Sequence, residues 1–161
     1  MLLFSLVPQE LGFVQAAPLR VSESIVVRAS PERVFDAFAD TERWTRWFPL
    51  MYRAVWTSAE QAKVGAEREV ALYGLGGYRE RFIAWEPGAR FAFTMTKAST
   101  PMARSIVEDF SFSCEGDGTR IDWVLAADPR TLGKVARPGL ELVMPRVVRK
   151  AGQRLERYLT R

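Results

Sequence analysis

Two glutamates stand where alternating patterns put a carboxylate beside aromatic rings. In RSIVEDFSFSC (104–114), Glu108 shares one side of an extended chain with Ile106, Phe110, Phe112 and Cys114. In YRERFIAWE (78–86), Glu80 shares a side with Tyr78, Phe82 and Ala84, opposite Arg79, Arg81, Ile83 and Trp85. This pattern alone leaves open which of the two sides is buried. A carboxylate turned into an apolar interior takes up a proton or finds a cation. Protonated, it serves as general acid and then as base, the chemistry of dehydration and cyclisation. The quieter outcome, and the preferred one, pairs each with an arginine, Arg104 or Arg68, or leaves it at a rim in water. Tyr73 and Tyr78 flank a GLGG turn (74–77) and could donate to a carbonyl or stand on the strand surface.

Other chemistries are excluded by residue type. The chain has no His and a single Cys, Cys114. Imidazole bases, His-activated thiols, Cys-held zinc and internal disulfides are all ruled out. Cys114 is expected to behave as a small buried hydrophobe. GLGG joins two strands and lacks a following Lys-Ser/Thr, so it is no phosphate loop. Asp109, Asp117 and Asp122 are scattered in direction by alternation and by a turn, which argues against a metal site. No cofactor is implied.

A second feature is apolar. ERWTRWFP (42–49) sets Trp44, Trp47 and Phe48 at i, i+3 and i+4, one face of a helix that Pro49 ends. These rings either fill a core or wall and gate a cavity; wall or gate is the favoured expectation. Alternation turns Phe91, Phe93 and Met95 of RFAFTMT inward, together with Ile121, Trp123 and Leu125 of TRIDWVL, leaving Asp122 outside.

The elements that position these residues read off in order. VSESIVVRA (21–29) is a strand. SPERVFDAFAD opens a helix with Ser30 as N-cap and Pro31 in its first turn. Asp40 reads as a second N-cap, with Glu42 in the first turn of the helix carrying the tryptophans. Strands follow at 50–58, 67–74, 78–86, 90–98, 104–115 and 119–127, linked by GLGG, by EPG as a type II turn, by a looser connection at Pro101, and by GDG. From Leu140 to Tyr158 an apolar stripe through Leu140, Val143, Met144, Val147, Ala151, Leu155 and Tyr158 predicts a helix, disturbed at Pro145, with Pro138-Gly139 as a breaker upstream. A meander of this length curls, and only that helix is long enough to cover its concave face. The fold class is α+β.

This order resembles the START-like (SRPBCC) superfamily with the helix-grip fold, and within it the polyketide cyclase/dehydrase-type proteins. The resemblance rests on SPERVFDAFADTERWTRWFP, YRERFIAWEPGARFAF, GDGTRIDW and the long C-terminal helix. It implies a curled antiparallel sheet of six to seven strands around that helix, in a domain spanning 21–161; residues 1–20 lie outside the common pattern and read as a docked arm. It also implies a hydrophobic tunnel for lipids, sterols, polyketides, quinones or similar ligands, and cyclisation or dehydration in a minority of members. It transfers no catalytic residue. It favours the Phe82 side of YRERFIAWE as the inner one, which turns Glu80 inward. The expected ligand-binding set is Trp44, Trp47, Phe48, Tyr78, Phe82, Phe93, Met95, Glu108, Phe110, Trp123, Leu140, Met144 and Val147, with Glu80 and Glu108 as the candidate acids.

Composition adds context. At 161 residues, 48% hydrophobic and 26% charged, the chain suits one globular domain. No apolar run approaches the ~20 residues that span a bilayer. MLLFSLVPQELGFVQAAPLR has no basic residue before Arg20, and Pro8 cuts its apolar stretch short; it reads as an arm rather than an export signal. With one Cys, a cytoplasmic setting is expected. The net charge is +4, and Arg146, Arg149, Lys150, Arg154, Arg157 and Arg161 follow one helical face. A solvated face is the expectation, with peripheral contact to an anionic membrane as the sharper alternative and no specific nucleic acid as partner. Three functions are therefore in play: binding a hydrophobic small molecule, which leads; cyclase or dehydratase chemistry on a cavity carboxylate; and interaction through the basic helix.

Overall fold

Hydrophobic alternation and tight turns build one curved antiparallel sheet in a computed structural model of residues 1–161. Strand β2 (Leu19–Val27) leads into helix α2 (Pro31–Ala39), where Ser30 accepts from the Arg33 amide and Pro31 takes the first helical position. Val34, Phe35, Ala37 and Phe38 form its buried face. A 3-10 turn (Thr41–Arg43) and the one-turn helix α3 (Trp44–Trp47) follow. Asp40 does not cap them. Its side chain pairs with Arg43 Nε at 3.0 Å, and α3 is anchored instead by Trp44 Nε1 donating to the Phe38 carbonyl at 2.7 Å.

Strands β3 (Met51–Trp56), β4 (Glu67–Leu72), β5 (Gly76–Glu86), β6 (Arg90–Ala98), β7 (Ala103–Glu115) and β8 (Gly118–Pro129) form the meander, in the order β2-β8-β7-β6-β5-β4-β3. The EPG turn closes with Ala89 N donating to the Glu86 carbonyl, and Gly88 has φ +71°, as a type II turn requires.

The arm supplies β1 (Phe4–Ser5), paired with β6, and α1 (Phe13–Ala16). Gln9 donates from its amide to Thr94 Oγ1 and from its side chain to Ser105 Oγ. Val14 packs on Val107 and Ala126, on the sheet face opposite the main core. Burying a valine this way contributes about 1.5–3 kcal/mol.

Helix α4 (Thr131–Leu159) lies across the concave face and is longer than the sequence predicts. Pro138-Gly139 does not break it. Pro138 and Pro145 both face solvent, as do Lys134 and Glu141 four residues back, so water can satisfy the carbonyls that lose their helical donors. The two halves of α4 differ. Val148, Ala151, Gly152 and Leu155 are buried against the sheet, and a Cβ at Gly152 would come within 2.7 Å of Ile25. The first half contributes only Met144 to the buried set.

Two corrections concern orientation. A bulge between Phe82 and Ala84 puts Trp85 opposite Phe91, so its ring joins the aromatic core, 4.9 Å from Phe82 and 5.7 Å from Phe35. Strict alternation had placed it on the far side. Cys114 is exposed because it sits near the tip of the β7–β8 hairpin, past Ser111, the last β7 residue paired with β6.

Candidate functional site: a cavity under the first half of α4

The concave face is filled at one end and open at the other. Phe38 anchors the filled end, with five rings centred 5.0–5.5 Å away: Trp44, Trp47, Phe91, Phe110 and Phe112. At the other end, between the sheet and the first half of α4, lies a cavity of about 430 Å³. Of its 26 lining residues, 21 are hydrophobic, and none is Lys or Arg. A space of this size and character suits a small apolar ligand.

Most of the residues expected from sequence line it. Trp44 and Phe48 form the wall on the α3 side, Tyr78 and Glu80 come from β5, and Phe93 and Met95 from β6. Glu108 and Trp123 come from β7 and β8, and Leu140, Met144 and Val147 form the roof. Three stand one layer back. Trp47 and Phe110 are absent from the cavity lining and border a separate gap of about 20 Å³. Phe82 is fully buried among Trp56, Trp85, Phe91 and Phe93. The opening stretch of tryptophans therefore divides: Trp44 walls the cavity and Trp47 plugs the core.

Sequence reasoning missed the mouth. Leu50, Leu75 and Val143 line the cavity while remaining 40%, 48% and 49% exposed. Leu50 has φ +71°, a left-handed conformation rare for a branched side chain, and its carbonyl accepts from the Tyr73 amide at 2.9 Å. Leu72 and Met102 also line the space. Val143 lies on the helical stripe read from sequence, but no periodicity marks the others, which sit in turns and at a strand end.

The two carboxylates have separate fates. Arg68 stands directly opposite Glu80 in the β4–β5 register, and its Nε donates to Glu80 at 2.6 Å with both side chains buried. Its Nη1 and Nη2 have no acceptor. Ring faces replace one: the guanidinium carbon lies 4.3 Å from the Trp44 ring centre and 5.1–5.6 Å from those of Phe93, Phe82 and Phe91. Burial pushes Glu80 up in pKa, and the permanently charged guanidinium opposes it.

Glu108 has no arginine; Arg104 pairs with Asp128 instead. Glu108 Oε2 accepts from Trp123 Nε1 at 2.9 Å, and its strand neighbours in register are Phe93 and Leu125. Its side chain is half-buried, and it lines the cavity. Burial, then the charge of Glu80, lift its pKa to about 8, against the opposing hydrogen bond from Trp123. At neutral pH it is a carboxylic acid, a proton donor inside an apolar chamber.

With the fold and chamber in hand, comparison with known proteins places the chain. The profile of the family described as polyketide cyclase / dehydrase and lipid transport matches residues 18–160. The chain belongs to that family. An uncharacterised protein of Mycobacterium tuberculosis is 31% identical over 151 residues, covering 92% of this chain and 89% of its own. Among solved structures, the Zhui aromatase/cyclase from Streptomyces sp. R1128 superposes with a TM-score of 0.73 at 15% identity, covering 89% of this chain and 94% of that one. A START superfamily protein from Mycobacterium smegmatis gives 0.71 at 14%, covering 88% and 97%. A major latex-like protein from Panax ginseng gives 0.74 at 11%, covering 89% and 98%. At these identities the structures establish the helix-grip fold, which the polyketide cyclase/dehydrase family shares with plant and bacterial proteins, and no particular ligand.

Proposed function

We propose that this protein binds a hydrophobic small molecule, of the lipid, polyketide, quinone or aromatic kind, between its sheet and the first half of α4. The observation that carries this reading is the cavity itself: about 430 Å³, walled almost wholly by apolar side chains, in a fold whose other end is tightly packed. A core under no functional demand closes such a space, because each unfilled volume costs stability. The test is uptake of a neutral environment-sensitive dye such as Nile red. Wild type is expected to bind it stoichiometrically, and Met144→Trp, which pushes an indole into the chamber, is expected to stay folded and lose it. Equal uptake by both proteins would remove the cavity as the site.

A second reading is favoured by Glu108. A carboxylic acid kept protonated near neutrality can protonate a departing hydroxyl and then, as carboxylate, take a proton from the adjacent carbon, which completes a dehydration. Glu108→Gln would then abolish turnover of a hydroxyketone substrate while sparing its binding. Retained turnover in that variant would dispose of the acid role.

A further inference from the structure

The chamber's polar groups can be accounted for one by one. Glu80 is neutralised by Arg68, and Arg68 does not itself line the cavity. The Tyr78 hydroxyl donates to the Leu75 carbonyl at 2.8 Å. Trp123 Nε1 is committed to Glu108 Oε2. Glu108 Oε1 makes no hydrogen bond within the chain, although its residue lines the cavity. Glu80 Oε1 is also unbonded, but its carboxylate is held by the Arg68 cation, so Glu108 is the one carboxyl without a counter-charge left for a guest.

We propose that the cavity selects neutral ligands that present a carbonyl oxygen, such as a ketone, ester or quinone, to the Glu108 carboxyl, and that it rejects ligands ending in a carboxylate. This rests on the cavity being a ligand site and names the class of guest.

Two arguments support it. The first is charge. A ligand carboxylate entering here meets Glu80 and Glu108, finds no Lys or Arg on the lining, and finds the nearest guanidinium screened by four rings and already paired. Moving an anion from water to such a place is strongly unfavourable. The second is donor count. Held neutral by burial, Glu108 has one O–H to give, and a carbonyl is the acceptor that takes it without adding charge. An ammonium ligand would require the Glu108 proton to leave and both ions to stay desolvated, so it ranks below the carbonyl.

The test is a matched pyrene series at pH 7: 1-ethylpyrene, 1-acetylpyrene, 1-pyrenecarboxylate and 1-pyrenemethylamine, titrated against wild type, Glu108→Gln and Glu108→Leu. Acetylpyrene is expected to bind wild type about 10-fold tighter than ethylpyrene, as one buried hydrogen bond supplies. Glu108→Gln keeps an N–H donor and should hold that preference within about 3-fold, while Glu108→Leu should erase it. Pyrenecarboxylate should bind wild type at least about 10-fold more weakly than ethylpyrene. If ethylpyrene binds but the ketone gains nothing over it, or the carboxylate or amine binds tightest, the selectivity is wrong and the cavity stands. If ethylpyrene and Nile red both fail to bind, the cavity reading falls and takes this inference with it. The wild-type comparison needs no variant, so a misfolded Glu108→Leu leaves the result decisive.

Discussion

Replacing Glu108 with Gln should change how stability depends on pH. The amide copies the shape of the protonated carboxyl and can still accept from Trp123 Nε1, but it cannot ionise. In the folded wild type the carboxyl moves from an ordinary 4.5 to about 8. Between those values the folded protein holds a proton that the unfolded chain has released, so stability falls as pH rises through this window and levels off above it. At 1.36 kcal/mol per pKa unit the full loss is roughly 5 kcal/mol. Water entering the chamber solvates the carboxylate and lowers this to about 2–4 kcal/mol. Urea unfolding of the ligand-free proteins at steps from pH 5 to pH 9 measures it. Wild type and Glu108→Gln should agree near pH 5, and the variant should be more stable by about 2–4 kcal/mol at pH 9. Burial raises Glu80 in both proteins, and its repulsion of the Glu108 carboxylate, absent in the variant, is part of the difference measured. The pKa of Glu69 is lowered, chiefly by its hydrogen bond to Arg79, so its contribution fades only at more acid pH, below this window. Parallel profiles across the range would refute the assignment of Glu108 to an apolar chamber.

Further perturbations separate the packed end from the open one. Trp47→Ala should destabilise by about 3–5 kcal/mol while leaving dye affinity within about 3-fold, because Trp47 stands in the core and not on the cavity wall. Gly133→Ala would set a Cβ against the Met102 carbonyl oxygen, well inside van der Waals contact. The start of α4 must then shift away from the sheet, and calorimetry should show a loss of at least about 1–3 kcal/mol together with altered dye affinity. Glu80→Gln leaves the Arg68 cation without its carboxylate in an aromatic surround; a loss of about 3–5 kcal/mol in chemical denaturation is expected, and a neutral outcome would mean that water reaches the pair.

Much of this was legible in the chain because the signals were local. Ser30-Pro31, the EPG turn and the GDG hairpin each fix backbone geometry within a few residues, and the elements they bound appear where expected. The β4–β5 connection even contained the Arg68–Glu80 pair. A three-residue link from Leu72 to Gly76 sets positions 68 and 80 directly opposite each other, so counting back from the turn identifies the partner among the candidates. Other features depend on information that periodicity does not carry. The bulge after Phe82 turns Trp85 inward, and nothing in the residue types announces it. Pro138 reads as a break by its own chemistry, yet α4 continues because the far side of that turn is wet. Whether large side chains fill a grip or line it depends on how the two halves of α4 sit over the sheet, and that emerges only in three dimensions.

The most direct test of the ligand-binding claim is native mass spectrometry of freshly purified protein, followed by organic extraction of whatever is bound and a screen of uptake across neutral lipids, quinones, sterols and aromatic polyketides. The account predicts one apolar, uncharged molecule per chain, retained from the cell or taken up in the screen, and lost in Met144→Trp. A protein that carries nothing and takes up nothing would contradict it.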